Sequence, residues 1–187
     1  MPDSKNVAVA VVGMCGSGKS VLANHFINDG WACVYFGGVT MKILEEKGLP
    51  KTQHYEKQIR ENLRKEHGME AYAKLLYPQI NDLLTHQNVV IDGLYSWDEY
   101  KYLKERLGDR LIIVAVITNR EIRYKRLHLR PIRPLSEEEA IMRDHHEIEN
   151  LDKGGPIAIA DYYILNNTTL DDLKSRYECF TSWLNAR

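Results

Sequence analysis

Long apolar runs are missing from this sequence. The most apolar N-terminal stretch, residues 7–12, is far shorter than the ~20 residues of a membrane helix, and it runs into glycines rather than a cleavage site. Neither a membrane partner nor secretion is expected. Cysteine is scarce: Cys15, Cys33 and Cys179 are odd in number and scattered, which excludes a disulfide framework and fits reduced thiols in the cytoplasm. No pair has the close Cys-x-x-Cys spacing of a zinc site. Excess charge of either sign is missing too. With 25 Lys+Arg against 26 Asp+Glu the formal net charge is -1, so the chain lacks the basicity of a general nucleic-acid binder, although a local basic cluster could hold a phosphorylated metabolite. There is no internal repeat, low-complexity tract or Gly/Ser linker. What remains is an ordinary globular composition, 44% hydrophobic and 27% charged over 187 residues, read as one domain over 1–187. Oligomeric state is not legible.

Short strand patterns alternate with capped helical ones. Residues 7–12 form a continuous small and β-branched run, as in a strand covered on both faces. Residues 19–28 read as a helix with Leu22 and Phe26 on one face and Gly30 after its end; residues 32–36 read as strand. A helical stretch over 52–86 is expected to break or bend at Gly68 and Pro78. Residues 88–92, 111–117 and 162–165 read as further strands. Capping-box spacing recurs at Ser96–Glu99, opening a helix that ends near Gly108, and again at Thr118–Glu121 and Ser136–Glu139. Leu173, Tyr177, Phe180 and Leu184 make the stripe of a last helix. The alternation predicts an α/β fold, a parallel sheet of about five strands with helices on both faces. Ligands of such sheets collect at the carboxyl ends of the strands.

Gly13-x-x-x-x-Gly18-Lys19-Ser20 stands there, between an apolar strand and an amphipathic helix. This is the P-loop pattern, which predicts a three-layer P-loop NTPase fold. Gly13, Met14, Cys15, Gly16, Ser17, Gly18, Lys19 and Ser20 are the expected ATP-phosphate cradle, with Lys19 reaching the β/γ oxygens and Ser20 holding Mg²⁺. Cys15 needs no reactive role, since the middle of such a loop accepts many residues and phosphoryl transfer needs no thiolate.

Asp92 ends an apolar strand before Gly93, where a carboxylate can orient Mg²⁺ or its water beside Ser20; an Asp-Gly turn cap is the other reading. Arg120, Arg123, Lys125, Arg126, Arg130 and Arg133 form a cationic segment interrupted by Pro131 and Pro134. Arg126 and Arg130, four apart, are expected to close over the transferring phosphoryl group, and Arg143 to point back to the same place; a solvated basic face competes. Lys19, Asp92, Arg126 and Arg130 are thus the candidate catalytic residues, Arg126 also touching the nucleotide. His145-His146-Glu147 lacks the His-Glu-x-x-His spacing of a metal helix.

With these motifs the chain resembles the nucleoside-monophosphate kinase superfamily, in particular the archaeal adenylate-kinase-related and dephospho-CoA-kinase-like nucleotide kinases. Leu63–Gly68, Arg143-Asp144 and 159–166 carry further similarity. The resemblance implies an adenine nucleotide donor, a helical acceptor-binding insertion over 36–77 and a short lid over 126–143. It makes Arg60, Arg64 and, less directly, Lys42 ligands of an acceptor phosphate; a surface pair bonded to Glu56 or Glu61 is the competing reading of Arg60 and Arg64. Such relatives usually carry an acid after the second strand and an arginine after Asp-Gly, where this chain has Phe36-Gly37-Gly38-Val39 and Leu94-Tyr95-Ser96; Tyr95 joins the acceptor side. Without that acid, a phosphate acceptor, already anionic at neutral pH, is favoured over a hydroxyl unless Asp92 serves as base. A small-molecule phosphate acceptor is the expected partner.

Overall fold

A computed structural model describes residues 6–132 and 134–187. Five strands, β1 (Ala8–Val12), β2 (Ala32–Tyr35), β3 (Val89–Asp92), β4 (Leu111–Ile117) and β5 (Tyr162–Leu165), pair in parallel in the order β2-β3-β1-β4-β5. β1 sits at the centre with every residue buried, which is why its sequence is apolar without alternation. Its side chains still divide between two cores. Ala8, Ala10 and Val12 face one, with Phe36, Leu44, Ile80 and Leu103; Val9 and Val11 face the other, with Leu22, Phe26, Leu173 and Phe180.

The second core is roofed by α1 (Lys19–Asn28) and α9 (Leu170–Asn185). Phe26 lies edge-on to Trp31, Tyr177 and Phe180 at centroid separations of 5.0, 4.8 and 5.8 Å. This aromatic cluster fixes α1, and with it the start of the phosphate loop. The first core is covered by α2 (Gly37–Glu46), α3 (Gln53–His67), α4 (Ala71–Leu83) and α5 (Trp97–Leu107). Beyond β4 come α6 (Arg120–Leu129), α7 (Glu137–Glu149) and the short α8 (Gly154–Ala158).

The expected helical stretch divides at Gly68, whose φ of +89° suits glycine. Pro78 does not end α4. It lies on an exposed turn, where the carbonyl it leaves unpaired can reach water. α2 was not legible, because Gly37-Gly38 at its start reads as a turn; Thr40 and Leu44 dock it by burial, and the Thr40 hydroxyl meets the Tyr72 hydroxyl at 2.6 Å. The capping boxes at Ser96 and Ser136 form in full. The third does not: α6 starts at Arg120 without a side-chain cap, and Thr118 donates instead to the Ser17 and Asn166 carbonyls. Ser136→Ala is expected to lower stability by about 1 kcal/mol in urea unfolding, because it strips the cap from an exposed helix end. Among the described residues no helix is long and apolar enough to cross a membrane.

Candidate active site

The loop between β1 and α1 turns through Gly13, Gly16 and Gly18, with φ of +144°, +79° and +97°. All three positions also lack room for a side chain. A Cβ on Gly13 would lie 2.5 Å from the Val116 carbonyl, and one on Gly18 would strike the Asn166 amide. The loop is bolted from three sides. The Ser17 carbonyl accepts from Thr118 Oγ1 at 3.0 Å and Asn166 Nδ2 at 2.8 Å, at the ends of β4 and β5, and the Cys15 carbonyl accepts from Arg123 Nη1 at 2.9 Å. Arg123 is itself held by Asp144 of α7 through two bonds of 2.9 and 2.6 Å. Lys19 Nζ curls back onto the Gly13 and Met14 carbonyls at 2.9 and 3.0 Å, and the buried Ser17 hydroxyl has no partner. An ammonium bonded only to loop carbonyls and an orphaned hydroxyl suit a nucleotide's phosphates.

Burial, and next the neighbouring Lys153, bring Lys19 down to about 8. Bound phosphates would restore its charge. Nucleotide binding near pH 8 is therefore expected to take up about half a proton, read as a dependence of the calorimetric enthalpy on the buffer's ionisation heat. Asp92 ends β3 beside this lysine and is hydrogen-bonded to Ser20; burial pushes its carboxyl up, against the pull of Ser20 and Lys19. Ser20 and Asp92 thus supply the hydroxyl and carboxylate that suit Mg²⁺.

Next to Cys15 a cavity opens between α2, α3, α4 and the α6–α7 connection. Arg60, Arg64, Arg130 and Arg143 all line it, with Tyr72 and Tyr95. Arg60 also pairs with buried Glu56 at 3.4 Å. Burial, and then Arg143, lower the Arg60 pKa. Arg64 stacks 5.4 Å from the Tyr72 ring centre, and its Nε is buried without a partner. Under the cavity, burial pushes Glu99 to about 7, although Tyr95 N and Ser96 N donate to it.

Two expectations are corrected. Lys42 is not in the cavity: it lies on the outer side of α2, its side chain 78% exposed beside Glu46, because its turn of the helix faces solvent. Arg126 and Arg130 do not act as one face. Arg130 has left helical geometry, with ψ of 140°, and lines the cavity, whereas Arg126 stays in α6 with a buried, unpartnered Nη1. Arg133 lies outside the described residues. His146 bonds to Asn150, and Glu147 is buried in ion pairs. Sequence reasoning missed the anchoring roles of Thr118, Arg123 and Asn166, as well as Glu147 and Lys153; Arg143 is expected near the phosphoryl group, and Asp144 enters only through the similarity.

A central β1 flanked by β3 and β4, with a glycine loop opening into α1 and a lysine curled over it, defines a P-loop fold of the kinase type. The chain belongs to the UPF0200 family, and its residues 9–152 match the family described as "AAA domain". It is 34% identical over 174 residues to the UPF0200 protein of Thermococcus sibiricus, covering 91% of each chain. It is 33% identical over 178 residues to that of Pyrococcus furiosus, covering 93% of this chain and 95% of the relative. Among solved structures, shikimate kinase from Bacteroides thetaiotaomicron superposes with TM-score 0.61 at 16% identity, covering 96% and 98% of the two chains. TT1252 from Thermus thermophilus gives 0.57 at 19%, covering 97% and 99%. These likenesses show the fold.

Proposed function

We propose that this chain transfers the γ-phosphoryl group of ATP to a small acceptor that already carries phosphate, with a nucleoside monophosphate as the acceptor the family resemblance favours. The observation that carries this reading is the cavity beside the phosphate loop into which Arg60, Arg64, Arg130 and Arg143 converge. Guanidinium groups in a partly closed site are the side chains best matched to phosphate oxygens, and four of them stand against two lining carboxylates, Glu56 and Glu147. The neighbours named shikimate kinase, one solved with shikimate, support a small-molecule acceptor.

In this reading the 13–20 loop and Lys19 hold the donor phosphates, and the arginines hold the acceptor so that its oxygen faces the γ-phosphorus. Arg126, with its unpartnered Nη1, is the further cation on the donor side. Ser20 and Asp92 would hold magnesium, which would neutralise phosphate charge when bound. The acceptor oxygen–phosphorus bond forms as the bond from the γ-phosphorus to the β–γ bridging oxygen breaks. A phosphate acceptor brings no proton that must be removed. α2, α3 and α4 serve as the acceptor-binding insertion, and the α6–α7 connection as the lid.

A second reading has its own observation. Burial raises the Asp92 pKa, which strengthens it as a base and favours a hydroxyl acceptor such as dephospho-CoA. The test is ATP consumption with Mg²⁺ against nucleoside monophosphates, nucleosides and dephospho-CoA, with Lys19→Ala as control. Turnover with a monophosphate, lost in the control, is the expected result. Turnover with dephospho-CoA alone moves the reading to the hydroxyl class, and ATP binding that no acceptor accelerates moves it to a nucleotide-dependent switch.

A further inference from the structure

Lys153 is the most deeply buried cation among the described residues, with 1% of its surface exposed. A lysine is almost never buried so fully unless it is paired. The chain goes out of its way to put it there. After α7, Asp152 takes a left-handed φ of +48°, the only non-glycine to do so among the described residues, and Lys153 N then donates to the Glu147 carbonyl at 3.1 Å. This turn brings Lys153 Nζ to 2.7 Å from Glu147 Oε2 and 5.4 Å from the centre of the Tyr95 ring.

Glu147 is itself 2% exposed, and its partners lie on two sides of the reaction centre. Oε2 also accepts from the backbone N–H of Cys15 in the phosphate loop at 3.3 Å, while Oε1 accepts from Arg143 Nε at 3.1 Å, a residue of the acceptor cavity. Burial opposes its charge, but Lys153, Arg143 and Lys19 overcome this and hold the carboxyl at about 2. One carboxylate therefore stands at the junction of loop and acceptor cavity, receiving a loop N–H, an ammonium and a guanidinium. Those are the donors a phosphoryl group requires there, and three cations, Lys153, Arg143 and Lys19, act on this one carboxylate.

We propose that Lys153 is a phosphoryl-contacting cation of the site: Glu147 holds the place of the terminal phosphoryl group while the site is empty, and Lys153 turns its ammonium to that group when it arrives. The inference rests on the nucleotide reading of the phosphate loop. It adds no proton transfer. Lys153 contributes charge in the neighbourhood of Lys19, from the α7–α8 turn rather than from the loop or the lid arginines.

Calorimetry with Mg²⁺ tests it by comparing ADP with the β,γ-imido analogue of ATP on the wild type and on Lys153→Met. A contact confined to the terminal phosphoryl group lowers affinity for the analogue by about 10-fold or more and leaves that for ADP within about twofold. Equal losses for both nucleotides, or no loss for either, overturn the proposal. Should Lys153→Met fail to fold because Glu147 is left buried and unpaired, Lys153→Met/Glu147→Gln removes the stranded charge and is read in the same way. Acceptor-dependent loss of ATP by the wild type is measured alongside. If the wild type consumes no ATP with any acceptor yet Lys153→Met discriminates the two nucleotides, the kinase reading fails and the Lys153 contact stands.

Discussion

Acceptor-dependent ATP loss by Lys19→Ala is expected to fall by about 10²–10³-fold, in line with the removal of one fixed donor to a developing charge. The chain should nonetheless stay folded. Lys19 is pulled to about 8 mainly by burial, and a lysine with a lowered pKa opposes folding wherever the unfolded chain binds the proton more tightly. The sign follows: its cost is fully present below about 8 and fades as pH rises toward its ordinary 10.5. Near pH 7 the alanine variant should therefore be at least as resistant to urea as the wild type while losing turnover. Loss of both together would mean that Lys19 supports the loop rather than the transfer.

Asp144→Ala is expected to cost about 3–5 kcal/mol in urea unfolding, because it strands Arg123 as a buried charge. The two side chains are only 7% and 9% exposed and meet through two bonds, and Arg123 joins the Cys15 carbonyl to α7. Removing both charges, as in Arg123→Met/Asp144→Leu, should recover most of the stability, since well-packed apolar pairs replace buried ion pairs at little cost. Nucleotide affinity should not recover with it, because the Cys15 carbonyl has lost its donor. A double variant as unstable as the single one would show that packing around the pair, rather than its charge, sets the cost.

Much of this architecture could be read from local pattern. The continuous apolar run before Gly13 and the spacing of Lys19 and Ser20 depend only on neighbours in sequence, as do the Ser96 and Ser136 boxes, and each formed where expected. What escaped depends on the third dimension. α2 begins at two glycines and is held as a helix by its docking through Thr40 and Leu44. Thr118 looked like a cap, but β4 delivers it to the Ser17 carbonyl, a stronger claim on its hydroxyl than its own helix makes. Arg123 could not be told from the other cations of its segment, because its carboxylate partner lies 21 residues away. Lys153 sits in Asp152-Lys153-Gly154-Gly155, which reads as an ordinary surface turn; its burial comes from the fold alone. The arginines fared better: Arg60 and Arg64, one helical turn apart, reached the same cavity as Arg130 and Arg143.

The bolts on the Ser17 carbonyl bear on where this chain could be divided. One comes from Thr118 after β4, but the other comes from Asn166 after β5, beyond residues 9–152, the stretch matched by the AAA domain family. The same asparagine fills the space that keeps Gly18 a glycine. A fragment cut at the edge of that match would keep every residue of the phosphate-loop motif and lose one of the two clamps on the Ser17 carbonyl, along with α9 and its grip on Phe26. The unit of recognition and the unit of mechanical integrity are thus different lengths of the same polypeptide.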